Sequence, residues 1–185
     1  MLVRTTYIPG LLEIDLSVFE DNRGFFAELW RRDVYERAGI EGHFLQDNVS
    51  VSKQGTLRGL HYQVGRPQGH LITVSRGRIF DVGVDLRVKS PAFGKWFGIE
   101  LTESRPRQVY LPPGVAHGFC TLSESAEVLY KCTNYYDRDD EGGLYWADPD
   151  VGIEWPIENP ILSEKDRNLP FLKDIAPSKL PFPTD

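Results

Sequence analysis

Four histidines occur in the chain, His43, His61, His70 and His117, and two of them stand among residues suited to acid–base work. His61 closes the run Leu57-Arg58-Gly59-Leu60-His61, three residues after an arginine. Side chains alternate along an extended strand, so Arg58 and His61 face opposite sides unless Gly59 bends the backbone. His117 follows a proline–glycine turn in Leu111-Pro-Pro-Gly-Val-Ala-His-Gly-Phe119. An imidazole exchanges protons near neutrality, so a histidine with a fixed partner can act as a general base or bind a metal. It can equally be a hydrogen-bonded core residue, and spacing alone leaves these readings open. Cys120 and Cys132, the only cysteines, make no CxxC pair. Two thiols in a reducing compartment are expected, without a disulfide framework or a zinc knuckle.

The elements that must hold these groups read mainly as β. Seventeen glycines and thirteen prolines are spread along 185 residues as turn punctuation, which favours many short strands. Residues 11–19 alternate loosely, Asp21-Asn22-Arg23-Gly24 is a turn, and residues 25–30 are apolar again. Asp33–Ala38 is the best helix candidate, with Asp33 able to cap it and Gly39 able to close it in the left-handed conformation. Residues 71–74 and 79–86 read as a hairpin about Ser75-Arg76-Gly77. Residues 96–101, 108–111 and 126–136 continue the series, and Ser163–Asp166 starts a short helix. Such spacing means a sandwich or barrel. One domain over residues 1–175 is expected, with 176–185 as a loose tail. A net charge of −6 without like-charged runs argues against nucleic acid and anionic membrane as partners. No signal-type or membrane-length apolar stretch is present, so a cytoplasmic setting is expected.

Pro112-x-Gly114-x-x-His117 resembles the later half of the cupin signature, which implies a double-stranded β-helix, or jelly roll, with a few short helices. The earlier half of that signature wants two histidines one residue apart and then a glutamate. Leu60-His61-Tyr62-Gln63 offers only one histidine. A zinc- or iron-type site typically takes three protein ligands, so no metal and no cofactor are expected.

Longer motifs then occur in order: DNRGFFAE (21–28), QDNVSVS (46–52), GTLRGLHYQ (55–63), GRIFDVGVDLR (77–87), SPAFGKW (90–96), LPPGVAHGF (111–119), YKCTNYY (130–136), IEWP (153–156) and LSEKD (162–166). The series resembles the dTDP-4-dehydrorhamnose 3,5-epimerase family from about Val3 to Asp174. The resemblance implies a dTDP-linked 4-keto-6-deoxyhexose as substrate. A base would remove a C–H proton beside the ketone, and an acid would return one to the other face of the enolate. It further implies a homodimer whose subunits share strands near the N terminus.

Residue by residue, the resemblance makes His61 the base, Asp166 the carboxylate that orients it, and Tyr130 the opposed acid. Arg23 and Arg58 would clamp the diphosphate, where a planar fork of donors suits anionic oxygens. Glu28, Gln46, Asp47 and Asn48 would contact the nucleotide, and Tyr136 would stack on thymine. Glu141 and Lys165 are further ligand positions, and His117 with Asp81 a second His–Asp pair. Ser163 and Asp166 also have capping-box spacing, so a purely structural Asp166 is the rival reading. In Gln68-Gly69-His70 a histidine replaces the lysine that the family commonly carries toward the ketone oxygen. An unperturbed imidazole would add charge there only below about pH 6.5, predicting a narrow bell in rate against pH. Inversion at a single carbon, a metal-dependent cupin oxygenase or isomerase, and a non-catalytic sugar-binding module are the alternatives.

Overall fold

The computed structural model describes residues 1–40 and 43–182. Thirteen strands and two short α-helices are found among them: β1 (Leu2–Thr5), β2 (Leu12–Asp15), β3 (Val18–Asp21), β4 (Gly24–Ala27), α1 (Arg32–Arg37), β5 (Gln46–Lys53), β6 (Leu57–Gln63), β7 (His70–Arg76), β8 (Arg78–Asp85), β9 (Trp96–Thr102), β10 (Arg107–Leu111), β11 (Val115–Thr121), β12 (Ser125–Cys132), β13 (Glu141–Gly143) and α2 (Glu164–Arg167). One antiparallel sheet runs β1-β2-β10-β7-β12-β5 and a second runs β13-β6-β11-β8-β9, while β3 and β4 form a separate hairpin. This is the expected jelly-roll sandwich.

Apolar side chains from the inner faces meet between the sheets, among them Ile72 and Val74 of β7, Val109 of β10, Ile99 of β9 and Val128 of β12. Both sheets are also covered outside. Leu71 and Tyr110 pack with Tyr35 of α1 and with Ile40, while Leu60, Val82 and Val84 pack under Leu144, Val151 and Leu180. Two covered faces explain why β8 is buried nearly throughout rather than at alternate positions.

Several expectations shift at element ends. Residues 11–19 break at Leu16 and Ser17 into two strands, and β12 stops at Cys132 rather than reaching Tyr136. The first helix begins one residue before Asp33, so Asp33 lies in its first turn, while Gly39 does take the left-handed conformation at φ +85°. Of the segment expected to be loose, residues 177–182 lie on the domain. Leu180 is buried, the Tyr62 hydroxyl donates to the Lys179 carbonyl, and the Phe182 amide donates to the Val64 carbonyl. Residues 183–185 lie outside the described residues.

Candidate active site

The end of the sandwich opens into a cavity of about 460 Å³, a size that suits a small-molecule ligand. Its floor depends on how β6 pairs with β11. His61 lies opposite His117 and Arg58 opposite Phe119, so three steps on β6 match two on β11. This bulge re-aims the strand. Gly59 makes it possible with φ at +113°, and its missing side chain lets the backbones touch: a Cβ there would sit 2.6 Å from the Gly118 Cα and from the His117 carbonyl oxygen. Arg58 and His61, which would diverge on a regular strand, therefore both line the cavity.

Asp166 arrives from α2 with its carboxylate almost entirely buried, and His61 Nε2 approaches its Oδ1 at 2.6 Å. Ser163 caps the helix by accepting the Asp166 amide at 3.1 Å. Capping uses the backbone of Asp166 and leaves its carboxylate for His61, so both readings of this aspartate hold together. Burial alone would raise the Asp166 carboxyl. The His61 hydrogen bond, with help from Ser163 and Lys165, instead holds it below the ordinary carboxylate value. An ionised partner on Nε2 keeps the hydrogen there and leaves the Nδ1 lone pair as the basic site.

His117 forms a parallel arrangement, its Nε2 lying 2.8 Å from Oδ2 of the buried Asp81. Tyr130 enters from β12 of the other sheet and lines the same cavity. Burial raises its phenol above the ordinary value, with the nearby Arg58 charge acting the other way. Histidine and tyrosine thus reach the cavity from opposite sheets. A proton can be taken from one side and returned from another.

At the outer end, Gln46 and Asn48 of β5 point inward, and the Gln46 side-chain oxygen accepts the Tyr136 amide at 3.0 Å. The Tyr136 hydroxyl donates to Glu141 at 2.9 Å, and Lys165 pairs with the same carboxylate at 2.6 Å. Asp47, Arg23 and Glu28 are not brought to this cavity. Period-two alternation turns Asp47 to the outer face of β5, where it pairs with Lys131 at 2.7 Å. Arg23 sits exposed at the β3–β4 turn beside Asp21, and Glu28 follows that hairpin, 3.6 Å from Arg31.

His70 departs from what its type suggested. Burial, with His117 and His61 nearby, pushes its pKa down to about 3, so it is neutral across the working range and produces no bell of its own. Its tautomer follows from neighbours. The Gln68 amide nitrogen donates to the Asn134 carbonyl at 2.7 Å, which turns the amide oxygen toward His70 Nε2 at 3.3 Å. Nε2 therefore carries the hydrogen, and Nδ1 is buried without a hydrogen-bond partner among the described residues.

Sequence reasoning missed Ser50, Gln63 and Cys132 among the lining residues. Ser50 was within reach, because it continues the inward positions 46 and 48. Gln63 braces the loop that carries Tyr136, donating to the Asp137 carbonyl and accepting the Asp137 amide, both at 2.7 Å. No local pattern announces that contact across 74 residues.

The sequence profile of the dTDP-4-dehydrorhamnose 3,5-epimerase family matches residues 5–174. A Shigella flexneri protein of that name is 48% identical over 170 residues, covering 91% of this chain and 94% of its own. A solved Legionella pneumophila dTDP-6-deoxy-D-glucose-3,5-epimerase, in complex with dTDP-4-keto-L-rhamnose, superposes with a TM-score of 0.95. It shares 43% identity and covers 97% of either chain. A Streptomyces niveus dTDP-4-dehydrorhamnose 3-epimerase is 38% identical over 176 residues, covering 94% of this chain and 85% of its own.

Proposed function

The chain belongs to the dTDP-4-dehydrorhamnose 3,5-epimerase family, and on that premise we propose that it inverts C3 and C5 of dTDP-4-dehydro-6-deoxy-D-glucose, giving dTDP-4-dehydro-L-rhamnose. The observation that carries the reading is the His61–Asp166 pair on one wall of a cavity whose opposite sheet contributes Tyr130. His61 takes the proton beside the 4-keto group through Nδ1, and Asp166 stabilises the imidazolium that forms. Tyr130 returns a proton to the other face. Arg58 faces the diphosphate, its guanidinium braced by the Ser52 hydroxyl at 2.9 Å. His117, backed by Asp81, lines the sugar end; Gln46, Asn48, Tyr136, Glu141 and Lys165 serve the nucleotide end.

A homodimer belongs to the same proposal. Phe19, Phe25 and Phe26 of the β3–β4 hairpin are exposed, as are Val49 and Val51 on the outer face of edge strand β5. Exposed apolar side chains beside a free strand edge suit a second copy of this chain. Such a dimer would deliver the partner's hairpin to this cavity, giving Arg23 and Glu28 the ligand roles that they lack within their own chain. The free, buried Cys120 and Cys132 fit a reducing, cytoplasmic setting.

The test follows solvent deuterium by NMR during turnover of dTDP-4-dehydro-6-deoxy-D-glucose. Incorporation at both C3 and C5 is expected. Label at one carbon only would move the chain to the one-carbon activity named for the Streptomyces relative, and no label at either would overturn an epimerase.

A further inference from the structure

Glu141 lies where the two ends of the cavity meet. Strand β13 pairs with β6 so that Gly143 is opposite His61 and Glu141 opposite Gln63, which puts Glu141 on the His61 face one diagonal step away. A side chain at Gly143 would run into Leu169, so the diagonal glutamate is the neighbour that reaches the imidazole. Its two oxygens have different company. Oε2 takes the Lys165 ammonium at 2.6 Å and the Tyr136 hydroxyl at 2.9 Å, while Oε1 lies 3.9 Å from His61 Nδ1.

From this arrangement we infer that Glu141 is a positioning residue that couples occupancy of the nucleotide end to the proton affinity of His61, with Lys165 as the moving part. In the free protein Lys165 neutralises Glu141, and the carboxylate does little for the imidazole. A bound diphosphate offers Lys165 a stronger anion. As the ammonium turns to it, Glu141 regains its negative charge beside Nδ1 and favours the imidazolium that proton abstraction creates. The base is then strong only when a nucleotide is present, and an empty site holds a weaker one. The inference rests on the reading that His61 is the base and that diphosphate binds at this end.

The other groups around His61 act in both states. Asp166 comes from α2, Arg58 from β6 itself, and His117, backed by Asp81, from β11; His70 from β7 and Tyr130 from β12 complete the wall. Lys165 is the cation that already shares a carboxylate with His61.

The experiment is an NMR titration of the His61 imidazole with and without dTDP, in the parent, Glu141→Gln and Lys165→Met. An added phosphate charge raises the midpoint in every protein. The coupling predicts a dTDP-induced rise larger in the parent than in Glu141→Gln by about one pH unit, the usual effect of an opposite charge this close. Lys165→Met should show a raised midpoint already without dTDP. Equal dTDP-induced shifts in the parent and Glu141→Gln, or an unchanged midpoint in Lys165→Met, would overturn it. If Glu141→Gln does not fold, Lys165→Met decides alone. Deuterium exchange by the parent is scored separately, so failure of the epimerase reading cannot be confused with failure of the coupling.

Discussion

Gly59 and Gly118 touch backbone to backbone across β6 and β11, and that contact turns Arg58 and His61 into the same cavity. A Cβ on Gly118 would stand 2.8 Å from the Arg58 carbonyl oxygen, so the approach is closed to side chains from either strand. Gly59→Ala should therefore be destabilised by at least about 1–3 kcal/mol from its positive φ alone, with the clash added. Chemical denaturation measures this. A midpoint equal to the parent's would mean that the bulge relaxes freely and the two side chains owe their direction to something else.

His61→Ala should lose deuterium exchange at every carbon while retaining dTDP. Asp166→Asn keeps the helix cap, because the capped group is the backbone amide, yet it removes the anion that holds the proton on Nε2. A loss approaching the ~10⁴-fold seen for the equivalent change in serine proteases is expected. Tyr130→Phe leaves the ring packing intact and should let exchange continue while inversion fails. Inversion by this last variant at the parent rate would return Tyr130 to the role of a wall residue.

Mixed dimers test the origin of Arg23. In a heterodimer of Arg23→Ala with His61→Ala, a partner-supplied Arg23 completes one site that also has its own His61. Such a mixture, refolded together, should regain activity at low substrate that neither variant shows alone. If Arg23 serves its own chain, both sites stay defective and mixing restores nothing.

The half-buried His70, whose Nδ1 is enclosed, predicts a pH dependence of stability. Below its ordinary value of 6.5 the unfolded chain takes up a proton that the folded protein refuses until about pH 3. Stability attributable to this residue therefore declines as pH falls through that window. Asp85 is held low against burial by Arg87 and Ser90, and Asp166 by His61. Their contributions are present above the unfolded carboxylate range and are lost only as pH falls through their folded values. Over pH 6.5 to about 4.5 the difference between parent and variant melting curves isolates this imidazole: His70→Asn should lose less Tm over that span than the parent. Equal slopes would show His70 to be protonated while folded.

What could be read from residue order was whatever repeats at short range. Period-two alternation and the glycine–proline turns announced a β-sandwich, and Gly39 announced a helix end, because these depend on neighbours a few residues apart. The series of motifs singled out His61, Tyr130 and Asp166, and the resemblance paired Asp166 with His61 but gave no geometry. Only the folded chain decided how they meet. His61 and Asp166 are 105 residues apart and come together because α2 packs beside β6. Asp47 was grouped with Gln46 and Asn48 by adjacency, yet strand alternation turns it to the opposite face. His70 looked like a group that titrates near neutrality until burial beside two other histidines removed its charge. Chain-local sterics set each strand and turn, whereas sheet order, the bulge at Gly59 and desolvation are properties of distant segments brought together.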